Sequence, residues 1–348
     1  ITLTLMGLGA YPATDKQFLG MLGMHGTYEA NLAMHDADLI VAVGARFDDR
    51  ITGRLDAFAP NSEKIHIDID PSSINKNVAV DLPIVGDVGR VLDQMLRVWK
   101  DKKLKTNAKT MKAWWNQIND WRSVDCLKYD QSGSVIKPQF AIERLYEKTK
   151  GMDCYITTEV GQHQMWAAQF YKFNEPNRWM TSGGLGTMGY GLPSAIGVQV
   201  AHPESLVVDI SGEASFLMNM QEMSTAVQYR APVKVFITNN QYMGMVRQWQ
   251  ELLHGGRYAE SYTDALPDLV KLAEACQWVG LRAKRPDEVD DVIQEMIEID
   301  RPVIADIWVD QTENCFPMIP SGAAHNDMLL GPEDEASKPV SEEGMVLV

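Results

Sequence analysis

Short continuous apolar runs recur along the chain, separated by stretches with helical spacing. In residues 1–100 the opening run Ile1–Met6 is strand-like. Leu39–Val43 is a second run, ending at Gly44, and Lys64–Ile69 is a third, closed by Asp70 and Pro71. Between Met24 and His35 the pattern is helical. Short apolar strands alternating with helices predict a parallel α/β sheet. Residues 136–320 repeat this rhythm, with strands expected at Cys154–Thr158, Leu206–Ile210, Val233–Thr238 and Val303–Val309. Residues 101–135 differ: Lys102, Lys103, Lys105, Lys109 and Lys112 precede Trp114, Trp115 and Trp121, and the segment runs into Gln131–Ser134. An exposed, partly helical connector is expected there. After Pro320 the chain is polar, acidic and punctuated by Gly and Pro, as expected of a surface extension. The predicted class is α/β, with two doubly wound parallel-sheet (Rossmann-like) domains. The expected organisation is a domain at 1–100, a linker at 101–135, a second domain at 136–320 and a tail at 321–348.

Composition narrows the partners. Across 348 residues, 45% are hydrophobic and 23% charged, the profile of a globular chain with two cores. No stretch reaches the roughly 20 consecutive apolar residues of a membrane helix, so no membrane partner is expected. A net charge of -15 argues against nucleic acid. The basic, Trp-containing stretch is therefore read as a solvated connector whose indoles pack on a neighbouring domain. An anionic cofactor would need local positive features: a metal, backbone N–H groups or helix N-termini. The four cysteines, Cys126, Cys154, Cys276 and Cys315, form no C-x-x-C pair. They fit a reducing compartment, and a cytoplasmic location is expected. The chain begins at Ile1, inside an apolar run, and is read as a fragment or processed product.

The richest stretch is Leu206–Gln248. A strand leads into the small-residue turn Ser211–Ser215, a helix is expected over Phe216–Tyr229, and a second strand leads into Asn239-Asn240-Gln241. In a β-α-β unit both turns lie at the carboxyl end of the sheet, where ligands of open α/β sheets bind. Glu213 and Asn240 become spatial neighbours. A carboxylate, an amide oxygen and a nearby backbone carbonyl make a hard-oxygen site of the kind Mg²⁺ takes, completed by phosphate oxygens. Gly212 allows close approach of a diphosphate. Thr157–Trp166 follows a strand and opens a helix. Gly183–Pro193 contains Gly184-x-Gly186-x-x-Gly189, a match to the dinucleotide fingerprint. That reading is rejected, because no clean strand precedes it and a lone match is weak.

These segments together resemble the acetohydroxyacid (acetolactate) synthase family of thiamine-diphosphate enzymes. The Gly212-Glu213 turn followed by Asn239-Asn240 resembles the family's Gly-Asp-Gly…Asn-Asn motif, with Glu213 where most members have Asp. The resemblance implies Mg²⁺ ligation by Glu213, the Asn240 side chain and the Tyr242 carbonyl. It implies thiamine diphosphate contacts from Val160, Gly161, Gln162, His163, Gly186, Met188, Gly212, Ala214, Ser215, Asn240, Gly244 and Met245. Met188 is implied to prop the cofactor into a bent shape. Gln241–Gln250 resembles the loop of the synthases rather than that of the decarboxylases or oxidases, placing Met245 by the cofactor and Trp249 by the second substrate.

The amino-terminal half is similar to the middle, FAD-binding domain of the same synthases. FAD contacts are implied for Thr4, Leu5, Leu22, Gly23, His25, Gly44, Ala45, Arg46, Asp68, Ile69 and Asp87, with Met24 and Arg50 facing the active site. The plain alternative for Arg46 and Arg50 is surface pairing with Asp48 and Asp49. The resemblance covers residues 1–320. It implies an acetolactate synthase catalytic subunit that decarboxylates pyruvate and condenses the two-carbon unit with pyruvate or 2-ketobutyrate, in branched-chain amino-acid synthesis. The family's activating glutamate belongs to a domain upstream of this sequence, so the chain alone is expected to be inactive. Partners implied are 2-keto acids, a homo-oligomer with a shared active site and a small regulatory subunit. The rival readings are glyoxylate carboligase, pyruvate oxidase or a non-catalytic cofactor-binding fragment.

Overall fold

The computed structural model describes residues 1–263 and 265–335. It divides into two compact units. Among the described residues, one holds Leu19–Leu127 and 316–335, with Thr2; the other holds Leu3–Phe18 and Lys128–Cys315, with Ile1. This division differs from the one expected. The predicted connector contributes the helix Ala108–Arg122, whose Ile118 and Trp121 are buried in the core of the first unit with Leu32, Met34 and Met328. The predicted tail contributes Met328 and Leu329, both buried, to the same unit. The segment belongs to the first unit rather than to a solvated connector, but its indoles pack on that unit as expected. Trp121 is buried and Trp114 and Trp115 are half-buried against the same core, since helical spacing puts Trp114, Ile118 and Trp121 on one face.

The first unit is built on a three-stranded parallel sheet in the order β1-β2-β3, formed by β1 (Leu39–Val43), β2 (Glu63–Asp68) and β3 (Leu82–Val85). Thr27 caps the helix Tyr28–His35 by accepting from the Ala30 N–H. β1 forms as its apolar run predicts, yet Leu39, Val41 and Val43 are exposed among the described residues. The opening run makes no strand; Leu5–Gly7 is a 3-10 turn.

The second unit is a six-stranded, all-parallel sheet. Its strands are β4 (Cys154–Thr158), β5 (Trp179–Met180), β6 (Leu206–Ser211), β7 (Lys234–Asn239), β8 (Val279–Ala283) and β9 (Val303–Trp308). Their order is β5-β4-β6-β7-β9-β8. Every residue of β7, and all but the first of β6, is buried, as befits central strands covered on both faces. The helices Pro138–Thr149 and Pro286–Glu298 each begin with Pro at the first turn, where the missing N–H costs nothing. The helix expected over 216–229 is broken into Glu213–Phe216, the 3-10 turn Leu217–Asn219 and Glu222–Gln228. No helix among the described residues is long and apolar enough to cross a membrane.

Candidate active site

Strands β4, β6 and β7 are adjacent and parallel, with Thr158 paired to Ile210 and Ser211 to Ile237. The turns after them therefore open on one edge. Glu159–Gly161, Gly212–Ser215 and Asn240–Gly244 meet there, and Met188 joins them from the glycine-rich run. The cleft they form is lined by Val160, Gly161, Gln162, His163, Trp166, Met188, Gly212, Ala214, Ser215, Thr238, Asn240, Tyr242, Met243, Gly244, Met245 and Val246. Of the residues expected at thiamine diphosphate, only Gly186 is outside this lining. The cleft volume is about 50 Å³.

The polar groups at the cleft are unsatisfied: His163 and Trp166 line it, and Glu213, buried between Gly212 and Ala214, lies just outside the lining. Both carboxylate oxygens of Glu213, His163 Nε2 and Trp166 Nε1 are buried without hydrogen-bond partners. Such groups carry a desolvation cost unless something meets them. Burial pushes the Glu213 carboxyl up to about 8; the backbone N–H groups of Glu213, Asn240 and Tyr242 lie near enough to oppose this without making a hydrogen bond, and Asp306 pushes the same way as burial. Burial also pushes the His163 imidazole down to about 3, leaving it neutral, with a hydrogen bond to the Glu159 backbone opposing in part. Glycines flank this ring. A Cβ on Gly161 would lie 2.8 Å from His163 Cε1, and one on Gly212 2.7 Å from Nδ1.

Asn240 is oriented from both ends. Its Nδ2 donates to Gln162 Oε1 at 3.2 Å and its Oδ1 accepts from the Tyr242 N–H at 3.1 Å. Gln162 Nε2 in turn donates to Gln248 Oε1 at 2.8 Å and to the Glu313 carbonyl at 2.9 Å. Behind this, Asn239 Nδ2 donates to Asp306 Oδ1 at 2.9 Å, and Asp306 Oδ2 accepts from Arg282 and Trp308. No group of three or more His, Cys, Asp or Glu gathers as a metal cluster among the described residues. Glu213 and Asn240 bring one carboxylate and one amide oxygen to these turns, oxygens of the kind a hard cation takes.

Residues 159–307 match the description "Thiamine pyrophosphate enzyme, C-terminal TPP binding domain", and residues 1–95 match "Thiamine pyrophosphate enzyme, central domain". The chain belongs to the thiamine pyrophosphate (thiamine diphosphate) enzyme family. Among its relatives, the acetolactate synthase large subunit of Haemophilus influenzae is 50% identical over 339 residues, 97% of this chain and 59% of that protein. The acetolactate synthase isozyme 3 large subunit of Escherichia coli is 51% identical over 333 residues, 95% of this chain and 58% of that protein. The acetolactate synthase large subunit of Pyropia yezoensis is 44% identical over 330 residues, 94% and 55% respectively. The chain thus spans less than two thirds of the length of these curated relatives.

Within this thiamine pyrophosphate enzyme chain the remaining expected residues fall as follows. Trp249 does not line the cleft. It is half-buried on the helix Gly244–Leu253, four residues beyond Met245 and so on the same helix face. Gly44, Asp68 with Ile69, and Asp87 lie at or just beyond the carboxyl ends of β1, β2 and β3, one edge of that sheet. Ala45 and Arg46 follow Gly44. Arg46 pairs with Asp48 at 2.6 Å, and Arg50 lies 3.8 Å from Asp49, as the plain alternative anticipated. Asp87 caps the helix Val88–Asp101. The Met24 N–H donates to the Arg50 carbonyl at 2.8 Å, and His25 Nδ1 lies 3.1 Å from the Pro317 carbonyl. Leu22, Gly23 and His25 are buried beside them. Thr4 and Leu5 belong to the other unit, where the Leu5 carbonyl accepts from Trp179 Nε1 at 2.8 Å.

Sequence reasoning passed over Glu159 and Asp209, two fully buried carboxylates beneath the cleft. Their signal was present: an acid in the middle of the apolar run of β6, and another directly after β4. A larger open groove, about 1040 Å³, lies along the helix Gly191–Ala201 near Tyr155, Arg178 and His202. Its Arg178 is already paired with Asp153 at 2.7 Å and lies over the Tyr155 ring. The smaller cleft is the better candidate, because it holds the unsatisfied polar atoms.

Proposed function

We propose that the chain carries the cofactor-binding core of an acetolactate synthase catalytic subunit. It would decarboxylate pyruvate and join the two-carbon unit to pyruvate or 2-ketobutyrate. The observation that carries this reading is the set of buried, unpartnered polar atoms at Glu213, His163 and Trp166, gathered where the thiamine motifs converge. When bound, thiamine diphosphate supplies the nucleophilic carbon and electron sink that allow a 2-keto acid to lose carbon dioxide. Glu213, the Asn240 Oδ1 and the Tyr242 carbonyl would hold Mg²⁺. The N–H groups at the start of the helix Gln162–Phe170 would meet phosphate. Neutral His163 would donate or accept a hydrogen bond there without adding charge. Met188 and Met245 would hold the rings in the cleft mouth and exclude water. Trp249 is assigned to the acceptor keto acid, and Arg50, whose planar fork matches a carboxylate, to the substrate carboxyl.

FAD is proposed for the first unit. Gly44, Arg46, Asp68 and Asp87 stand at or beyond the carboxyl edge of β1-β2-β3. His66, two residues before Asp68 on β2, is fully buried with no hydrogen bond at either ring nitrogen, its Nε2 3.8 Å from Asp68 Oδ2. A homo-oligomer and a small regulatory subunit complete the proposal, the latter suggested by the "large subunit" names of the relatives.

Two measurements test the reading. Calorimetry should show thiamine diphosphate binding that requires Mg²⁺ and is lost in Glu213→Ala. A chimera in which this chain replaces the matching region of the Escherichia coli relative should form acetolactate from pyruvate. Magnesium-independent binding, or a folded chimera that binds cofactor but makes no acetolactate, would refute it.

A further inference from the structure

Glu159 lies outside the cleft lining, yet its carboxylate receives four hydrogen bonds from two distant segments. Oε2 accepts from the Gly189 N–H at 2.6 Å and from Ser215 Oγ at 3.0 Å. Oε1 accepts from the Gly191 N–H at 2.9 Å and the Leu192 N–H at 3.2 Å. Gly189 directly follows Met188, and Ser215 closes the turn that begins at Gly212. One carboxylate thus joins the β4 turn, the Met188 turn and the β6 turn.

We propose that Glu159 is a positioning residue: its ionised carboxylate clamps the Met188 turn and Ser215 in place and so sets the shape of the cofactor cleft. The inference rests on the reading of that cleft as the thiamine diphosphate site.

The charge state follows from the donors. Three of the four donors are backbone N–H groups, which can only donate, so a proton on Glu159 could sit only on Oε2 toward Ser215 Oγ, weakening the acceptor of the Gly189 N–H. Asp209, also fully buried, accepts only from hydroxyls, Thr157 Oγ1 at 3.0 Å and Ser211 Oγ at 2.5 Å. Hydroxyls can turn and accept instead. Burial raises the proton affinity of both acids, and repulsion from Glu159 raises that of Asp209 further. The proton belongs on Asp209. The packing leaves little slack, since a Cβ at Gly191 would strike Asp209 Oδ1 and stand 2.7 Å from the Glu159 N–H nitrogen.

Glu159→Gln isolates the clamp. An amide has one accepting oxygen. Facing it toward Gly191 and Leu192 puts its NH₂ against the Gly189 N–H, next to Met188. Ser215 can turn to accept, but Gly189 cannot, so the Met188 turn must shift. A hydrogen bond to a charged group is worth enough to predict roughly a tenfold or larger loss of thiamine diphosphate affinity with Mg²⁺ present. Inorganic diphosphate with Mg²⁺ should bind the variant as it binds the wild type, because Glu213 and Asn240 are untouched. The near-ultraviolet circular dichroism of bound thiamine diphosphate should change, and Glu159→Asp should recover part of the affinity. Unchanged cofactor affinity and dichroism in Glu159→Gln would overturn the proposal. So would parallel loss of diphosphate and cofactor binding, which marks a merely structural role. Hydrogen exchange decides independently of any ligand: the Gly189, Gly191 and Leu192 amides should be protected in the wild type and should exchange faster in Ser215→Ala. Rapid exchange at these amides in the wild type sinks the clamp even if Glu159→Gln fails to fold. Absence of cofactor binding in the wild type, with these amides protected, refutes the cofactor reading and leaves the clamp standing.

Discussion

Asn240 Nδ2 donates to Gln162 Oε1 at 3.2 Å, across 78 residues of chain. Gln162 is held in turn by Gln248 and the Glu313 carbonyl, so the orientation of a proposed metal ligand is set by a relay of buried amides. Gln162→Ala should leave Asn240 Nδ2 without its acceptor and take one donor from Gln248 Oε1, while the Tyr242 N–H and Cys315 still hold the two side chains. A cost of about 1–3 kcal/mol in unfolding free energy is expected, with weaker Mg²⁺-dependent cofactor binding. Urea unfolding and calorimetry on the same preparation check both. A stable variant with undiminished cofactor affinity would show that the relay orients nothing.

Mg²⁺ ligation by Glu213, as proposed, would be proton-linked. Its carboxyl is raised from an ordinary 4.5 to about 8. The folded chain therefore binds more protons than the unfolded one between those values, and the unliganded protein loses stability as pH rises through that window. His163 has the opposite sign, costing stability as pH falls from 6.5 toward about 3. Between pH 6.5 and 8 the Glu213 effect outlasts that of His163, and unliganded stability should fall by on the order of 1–2 kcal/mol. Calorimetry near pH 7 in buffers of different ionisation enthalpy should show release of about one proton per Mg²⁺ bound. Glu213→Gln should abolish the release and flatten the stability slope.

Arg247 is almost fully buried, and its guanidinium meets Glu251, the Thr312 and Glu313 carbonyls and Asn314 Oδ1. It ties the helix Gly244–Leu253 to the segment after β9. Arg247→Met should destabilise the protein by about 1–3 kcal/mol, because Glu251 loses its charge partner and keeps only Tyr258 and Asn314 as donors. Arg247→Met combined with Glu251→Leu should recover much of that. Equal destabilisation in the single and double variants, measured in urea, would show that the ion pair is not the cause.

Trp249 tests acceptor choice. Pyruvate and 2-ketobutyrate differ by one methylene, worth about 0.8 kcal/mol when buried, or roughly a fourfold preference. A shaped pocket can reach about 1–3 kcal/mol. In the chimera, Trp249→Leu should lower the ratio of acetohydroxybutyrate to acetolactate when the two acids compete, with pyruvate decarboxylation retained. A constant ratio would make Trp249 packing alone.

Some of this was written plainly in the sequence. The apolar runs at β4, β6, β7 and β9 are strands because central parallel strands need apolar residues on both faces, and that requirement is local. The turns after β4, β6 and β7 are legible too, because small and amide residues interrupt those runs. β8, with Val279, Arg282 and Ala283, escaped notice as an edge strand of mixed polarity, and β5 is only two residues long. The helix after Gly212 breaks at Leu217–Asn219, where Asn219 Nδ2 reaches back to the Gly189 carbonyl at 2.6 Å.

What the sequence determined by itself is therefore the alternation of strands and helices, the sheet edge on which the site lies and the residue types gathered there. The tertiary structure decided the partners. Glu159 reads as one more polar residue in a loop until Gly189, Gly191, Leu192 and Ser215 are brought to it from 30 to 56 positions away. Trp121 reads as connector until Leu32, Met34 and Met328 surround it. Periodicity records which face of an element is buried; it carries no record of which distant groups will meet there, because hydrogen bonds and core contacts depend on strand order and register.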